Sequence, residues 1–588
     1  MRWVLAASII TSVAAGVSAR AGGQALRNPN GRNTNVPPRA RAHPGVPFDN
    51  WTRDGPVANK FDNADTQSMP RVASREPRPM DDGWRSMRAK GNANQSGEPE
   101  YRVNGTAIPD VDFDIGEAYA GQMSISQDLN GPDKFYFWFQ PSPNPDADKE
   151  IVIWLNGGPG CSSLEGFIQE NGPFLWQYGT YRPVPNPWGW HHLTNVLWVE
   201  QPINTGFSTG TVTAQDEEDV ARQFMGFFKN FIDTFSMKGY KVYITGESYA
   251  GMYCPYIANA MINANDTEHF NMKGMLIYDP SITDDRVTEL TLVPFVDYHH
   301  NLFPFNDSFT KQIHDIDNKC GYADARSKHL SYPPPGHLPN PLPGIDPQTG
   351  TPRPECADGL LANSLQQAIT DLNPCFDIYQ VATTCPLLWD VLGFPGSFDY
   401  LPKGASIYFD RQDVKKAINA PLDRKWASCG GPVFVDHDKS PPSSTTVLGN
   451  VIDKTKNVII GHGALDFILL ANGTLMAIQN MTFGGQLGFQ KPPVEPFYVP
   501  YHTTGELGTI AGAGVSGTTH TERGLTYVGV SLSGHMVPQY APSAAFRHLE
   551  FLLGRVDSLS SKKPFTTDPK FPQPDGPLGN GTAPPGYN

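Results

Sequence analysis

Lys241-Val242-Tyr243-Ile244-Thr245-Gly246-Glu247-Ser248-Tyr249-Ala250-Gly251 is an apolar run that breaks into small residues around a serine, and a helical pattern through Tyr256, Ile257, Ala260 and Met261 follows it. A strand that turns sharply into a helix needs small side chains two places either side of the turn residue, and Gly246 and Ala250 hold those places. Ala250 stands where the simplest form of such a turn has a second glycine, a change a tight turn tolerates. The plain alternative is that Ser248 caps the helix. The strand before and the helix after favour an exposed nucleophile.

The flanking pattern is that of a layered sheet protein. Phe135-Tyr136-Phe137-Trp138-Phe139 and Ile151-Val152-Ile153-Trp154-Leu155 flank a Pro/Asp/Asn turn region and read as two neighbouring buried strands. Val196-Leu197-Trp198-Val199 is a further strand. Val220, Phe224, Phe227, Phe228, Phe231, Ile232 and Phe235 then recur at helical spacing, with Thr213 and Asp216 as the expected capping box and Gly239 as the expected end. Met275 to Tyr278, Val458 to Ile460 and Leu525 to Val530 add strands, and a helix from about Ser543 to Leu553 closes at Gly554. Strand, helix and strand alternate, as in a parallel sheet. Between residues 281 and 405 the alternation lapses into four cysteines, a Pro-rich loop and a helical piece at Leu360 to Leu372, which reads as an inserted, disulfide-pinned cap.

A serine hydroxyl is a weak nucleophile until a base within hydrogen-bond reach takes its proton and a third group orients that base. Of fifteen histidines, His535 in Gly534-His535-Met536-Val537-Pro538 falls on a loop just past a predicted strand. His191, His192, His299, His300 and His548 read as surface or structural. Asp466 likewise follows a strand, in Gly463-Ala464-Leu465-Asp466-Phe467. Ser248, Asp466, His535 is the chain order of α/β-hydrolases, so the expected fold is α/β, a mostly parallel central sheet flanked by helices with an inserted cap. An oxyanion also needs backbone donors. Asn156-Gly157-Gly158-Pro159-Gly160 directly follows a strand, and the N–H groups of Gly158 and Tyr249 would form the hole; a tight turn without a ligand is the alternative reading.

Trp154 to Ser163, Gly246 to Gly251 and Gly534 to Pro538, three long motifs in this order, resemble the serine carboxypeptidase family over about residues 118–554. The resemblance implies release of single amino acids from peptide C-termini through an acyl-enzyme on Ser248, with Asn156, Glu170 and Glu247 recognising the terminal carboxylate. A glutamic acid can donate to a carboxylate only when protonated, and two neighbouring glutamates raise one another's pKa, so activity is expected to favour acidic pH. The resemblance also implies that Cys161 bonds Cys429, that Cys320, Cys356, Cys375 and Cys385 pair within the cap, and that Cys254 stays free. One departure is Ala464-Leu465, where the family usually carries a polar residue before its aspartate. Two other readings compete: an acyltransferase on the same scaffold, which needs no site for a free carboxylate, and a catalytically dead binding homologue, which needs no intact Ser248, Asp466 and His535.

Composition narrows the setting. Of 588 residues, 39% are hydrophobic and the formal net charge is −14, which suits a globular protein and argues against nucleic acid or an anionic membrane as partner. Met1 to Ala19 reads as a signal peptide, residues 20–109 as a disordered linker or propeptide, 110–556 as the hydrolase domain and 557–588 as a flexible tail. Seven cysteines without metal-type spacing agree with export, so a secreted or vacuolar protein is expected. Asn50, Asn94, Asn104, Asn265, Asn306, Asn472, Asn480 and Asn580 stand in Asn-x-Ser/Thr acceptors. The chemistry calls for no metal and no cofactor.

Overall fold

Every second side chain of a strand points to the same face. In the segment around Phe137 both faces are apolar: Phe135, Phe137 and Phe139 lie in one buried layer, Tyr136 and Trp138 in another. A strand apolar on both sides must be covered on both sides. The computed structural model describes residues 99–567, apart from 148, 358–359, 395, 397–400 and 503–511. Its main sheet has eleven strands: β1 (Arg102–Val103), β2 (Ala118–Ser124), β3 (Lys134–Gln140), β4 (Glu150–Leu155), β5 (Asn195–Glu200), β6 (Lys241–Glu247), β7 (Asn271–Tyr278), β8 (Val458–Gly463), β9 (Glu495–Val499), β10 (Gly514–Glu522) and β11 (Leu525–Val530). Their spatial order is β1-β2-β3-β5-β4-β6-β7-β8-β11-β10-β9. The block β5-β4-β6-β7-β8-β11 is parallel, and antiparallel strands finish both edges.

One expectation is corrected here: β3 and β4 are not neighbours. β5 stands between them, pairing Phe137 with Val199 on one side and Ile153 with Leu197 on the other. β4 has parallel partners on both sides, which a short reversal from β3 does not allow.

Helices α1 (Ser163–Gln169), α2 (Glu217–Thr234) and α3 (Ala250–Ala264) cover the sheet. α2 turns its phenylalanines onto β3; the Phe231 ring centroid is 5.5 Å from that of Phe137 and 5.2 Å from that of Phe139. Its N-terminus is capped differently from the expectation. The Asp216 side chain accepts from the Asp219 N–H, Asp219 accepts in return from the Gln215 N–H, and Thr213 instead receives the Gln223 amide. Two aspartates three apart satisfy the free donors of the first turn and oppose its dipole. The helix ends at Thr234; Gly239, at φ +79°, belongs to the turn that enters β6.

The cap contains α4 (Asp307–Lys319) and α5 (Leu360–Leu372), and the bonds Cys320–Cys356 and Cys375–Cys385 lie within it. Leu365, Ile369, Phe376 and Val381 form its core together with Phe467 and Leu470 of the main domain. Val391, Leu392, Tyr408 and Phe409 join the Trp154 and Trp198 layer on the sheet instead.

The ends are more ordered than composition suggests. Val103 and Ile108 are buried and β1 extends the sheet edge, so the linker assigned to 20–109 gives way to folded chain by residue 99. Beyond 556, Leu559 and Phe565 are buried, and Arg547 of α6 (Pro542–Leu552) donates to the carbonyls of Ser561 and Lys563. A few apolar residues suffice where a sheet edge and a helix face stand ready to receive them. The expected leader at 1–19, residues 20–98, the expected acceptors Asn50, Asn94 and Asn580 and the chain after 567 lie outside the described residues.

Candidate active site

Ser248 adopts φ +61°, the left-handed region that residues with a side chain avoid. Its N–H donates to the Tyr278 carbonyl at the end of β7 (3.0 Å), and its carbonyl accepts from Gly251 and Ser281 (2.9 Å each). Contact explains the small neighbours: a Cβ on Gly246 would stand 2.7 Å from the Ala250 Cβ, and one on Gly251 2.6 Å from the Ser281 carbonyl. The loop after β4 closes on this turn. A Cβ on Gly157 would stand 2.7 Å from the Ser248 Cβ, so only glycine lets the Asn156-Gly157-Gly158 backbone lie against the serine. The bond Cys161–Cys429 tethers this loop, as the resemblance implied.

β8 and β11 are parallel neighbours with Gly463 opposite Val530, so the loops that leave them start level. Leu465 N–H then donates to the Ser533 carbonyl (2.8 Å), holding the two loops together. The result is a pair: His535 Nδ1 lies 2.7 Å from Asp466 Oδ2, while Asp466 Oδ1 accepts from the Ile468 N–H (2.9 Å). His535 Nε2 is buried with no hydrogen-bond partner among the described residues. The cap seats this loop, because the His535 N–H donates to the Tyr379 carbonyl (2.8 Å).

Beside the serine, Asn156 Nδ2 donates to Glu247 Oε1 (2.8 Å) and Glu170 Oε1 (3.3 Å). Its Oδ1 accepts from the Trp154 indole (2.7 Å) and the Gly166 N–H (3.3 Å), which fixes the orientation of the amide. Burial pushes Glu170 up to about 8. Burial and the neighbouring Glu170 hold Glu247 well above the usual carboxylate range. The outer oxygens, Glu170 Oε2 and Glu247 Oε2, are buried without partners among the described residues.

One cavity of about 780 Å³ has Asn156, Gly158, Glu247, Ser248 and His535 in its wall, with Phe394, Ile407 and Ile468 on its apolar side. Three expected site residues lie off that wall. Asp466 stands behind His535, Glu170 stands behind Asn156, and Tyr249 turns its side chain away to donate to Asp438 (2.5 Å). Cys254 is free and buried, its thiol pushed up by burial; it is inert by position. The sequence reading passed over Glu165 and Asp279. Glu165 lines the cavity and is pushed up to about 8, by burial and then by Glu170 and Asp390. Asp279 directly follows β7 at the end of the sheet where ligands bind in such folds, a signal the sequence already carried.

A serine raised on a strand-to-helix turn, with an imidazole and carboxylate joined at the same end of a parallel sheet, defines a serine hydrolase of the α/β-hydrolase fold. The serine carboxypeptidase family model matches residues 109–554. A probable serine carboxypeptidase of Arthroderma benhamiae is 53% identical over 521 residues, covering 86% of this chain and 94% of the relative. Serine-type carboxypeptidase F of Aspergillus niger is 46% identical over 479 residues, covering 78% and 87%. The solved structure of Kex1Δp, a prohormone-processing carboxypeptidase from Saccharomyces cerevisiae, superposes with a TM-score of 0.62 over 78% of this chain and 98% of that one; at 23% identity it bears on the fold. The chain belongs to the serine carboxypeptidase family and is a serine-type carboxypeptidase, acting on peptides with free C-termini.

Proposed function

We propose that Ser248, His535 and Asp466 carry the hydrolysis through an acyl-enzyme, and that Asn156 with Glu247 and Glu170 selects substrates by their terminal carboxylate. In this reading His535 Nε2 takes the Ser248 hydroxyl proton as Oγ attacks the last peptide carbonyl. The N–H groups of Gly158 and Tyr249 receive the oxyanion, and His535 returns the proton to the leaving amine, freeing one amino acid. Water then repeats the sequence on the ester.

One observation carries the reading: two buried carboxyl groups share the amide of Asn156, each with an oxygen left unpartnered, and Asn156, Glu247 and Ser248 border one cavity. A carboxyl group that keeps its proton can donate to the substrate's carboxylate; once ionised it repels it. Glu170, raised to about 8, keeps its proton through the acidic and neutral range and loses it above. Activity therefore favours acidic pH and fades as the pair ionises. N-blocked dipeptides compared with their C-terminal amides across pH test this, with a strong preference for the free acid expected below neutrality. Equal turnover of the amides, or a rate on the free acid still climbing above about pH 8, would remove the carboxylate site.

Export is the setting we infer, supported by the leader-like Met1 to Ala19 and by three disulfides. Among the described residues no helix is long and apolar enough to cross a membrane. Asn104, Asn265, Asn306 and Asn472 are exposed, which suits them as glycan acceptors, whereas Asn480 is half-buried with its Oδ1 accepting from the Leu338 N–H. Release of a propeptide before residue 99 belongs to the same proposal.

A further inference from the structure

Asp279 directly follows β7 and is fully buried, and no step above uses it. Its Oδ1 accepts from the N–H of Gly463 at the end of β8 (2.9 Å), and its Oδ2 is buried without a hydrogen-bond partner among the described residues. One of its oxygens, one oxygen of Asp466 and one ring nitrogen of His535 all lie within 4.8 Å of one another. Two carboxyl groups this close in a dry site do not both ionise.

The partners decide which one is charged. Asp466 accepts from two N–H donors, on His535 and Ile468, whereas Asp279 accepts from Gly463 and leaves its second oxygen without a donor. The groups facing Asp279 from the elements around it are Asp466 and His462 from β8 and its loop, His535, Glu247 of β6, Glu170 beyond α1, and Tyr527 of β11. His462 Nε2, 3.3 Å from Asp279 Oδ1, donates to the Leu469 carbonyl (2.6 Å). Burial lowers this histidine to about 4, so it supplies no positive charge above that pH. Burial and then the charge of Asp466 hold Asp279 well above the usual carboxylate range.

We propose that Asp279 is a positioning residue that works as a neutral carboxylic acid, offering its proton to Asp466 so that the two side chains hold one proton and one negative charge between them. A carboxylate that already accepts this donor attracts the imidazolium of His535 less strongly. The rate at which Ser248 reacts is then expected to hold further into the acidic range than it would with Asp466 alone. This rests on the reading of Ser248, Asp466 and His535 as the catalytic set.

The test is the rate at which a fluorophosphonate labels Ser248 in the full chain as a function of pH. In that step the Oγ–P bond forms, fluoride leaves and His535 takes the serine proton; no substrate carboxylate takes part, so Glu170 and Glu247 do not enter. Absence of labelling at Ser248 in the unaltered protein would overturn the catalytic reading and this proposal together. Given labelling, Asp279→Ala removes the donor and is expected to move the acid limb up by about half a unit to one unit. Asp279→Asn keeps an acceptor for Gly463 and an N–H for Asp466, and should hold the limb within about 0.2 units. A limb that moves down in both variants would mean that Asp279 carries charge; one that stays put in Asp279→Ala would mean that the two carboxyl groups are uncoupled. Either result overturns the proposal. If Asp279→Ala fails to accumulate, Asp279→Leu, close in size to the aspartate and likewise without a donor, takes its place with the same upward shift expected; a limb that stays put or moves down there refutes the proposal.

Discussion

The phenylalanine layer under α2 and the carboxyl cluster at the strand ends are equally dry, yet burial has opposite consequences in the two places. Phe137, Phe139, Phe224, Phe228 and Phe231 gain from losing water, each contributing about 1.5–3 kcal/mol relative to exposure. Glu170, Glu247 and Asp279 lose by it unless they keep their protons. The same sheet therefore holds one region that is stabilised by losing water and another whose protonation is set by burial and by neighbouring charges. The lesson is that stability and chemistry should be separable by mutation.

The largest effect should come from the strand ends. Ser248→Ala is expected to lower kcat by about 10⁶, the scale on which loss of a triad serine acts, while thermal unfolding stays within a degree or so. A loss under about a hundredfold, measured on an N-blocked dipeptide, would end the case for a serine nucleophile. Phe231→Ala inverts the pattern. Removing a ring packed edge-on against Phe137 and Phe139 and tilted beside Phe235 should cost about 3–5 kcal/mol in denaturant unfolding and leave kcat/KM nearly unchanged at 25 °C. If activity fell in step with stability, the two regions would not be independent.

The smallest effect joins the regions. Burial raises Glu165 and Glu170 to about 8 and Glu200 to about 7 in the folded chain. An unfolded glutamate releases its proton near 4.3, so above that pH the folded state binds more protons than the unfolded one. The contribution of these groups is complete at about pH 4 and is lost as pH rises through 7 to 8. The unfolding temperature should accordingly fall as pH rises from about 7 to about 8, above the range in which the buried neutral His191, His462 and His548 would take up protons on unfolding. A scan in which the protein melts at the same or higher temperature at the alkaline end would show that these acids are not held protonated.

Much of this was legible in one dimension because it is local. The turn at Gly246 to Ala250 needs small residues within a few positions of Ser248, and the alternation of Phe135 to Phe139 follows from the pleat of a single strand. The candidate triad and oxyanion loop follow from such motifs and their order; the candidate carboxylate-binding set and the Cys161–Cys429 bond come from the family resemblance, and which cysteines pair within the cap is open in the sequence. The misreadings were failures of neighbourhood: β5 between β3 and β4, Asp219 in place of Thr213 at the α2 cap, and chain around Val103 and Phe565 that folds because a surface awaits it.

What the sequence determined by itself was therefore the kind of each residue and the conformation of each short stretch, since backbone sterics and side-chain period act over a few residues. Only the tertiary structure decided that Asp279 lies beside Asp466, that Tyr379 of the cap holds His535, and that Asn156 joins two glutamates from different elements. Those relations depend on distances between residues far apart in the chain, and the protonation of a buried acid depends on its neighbours in space.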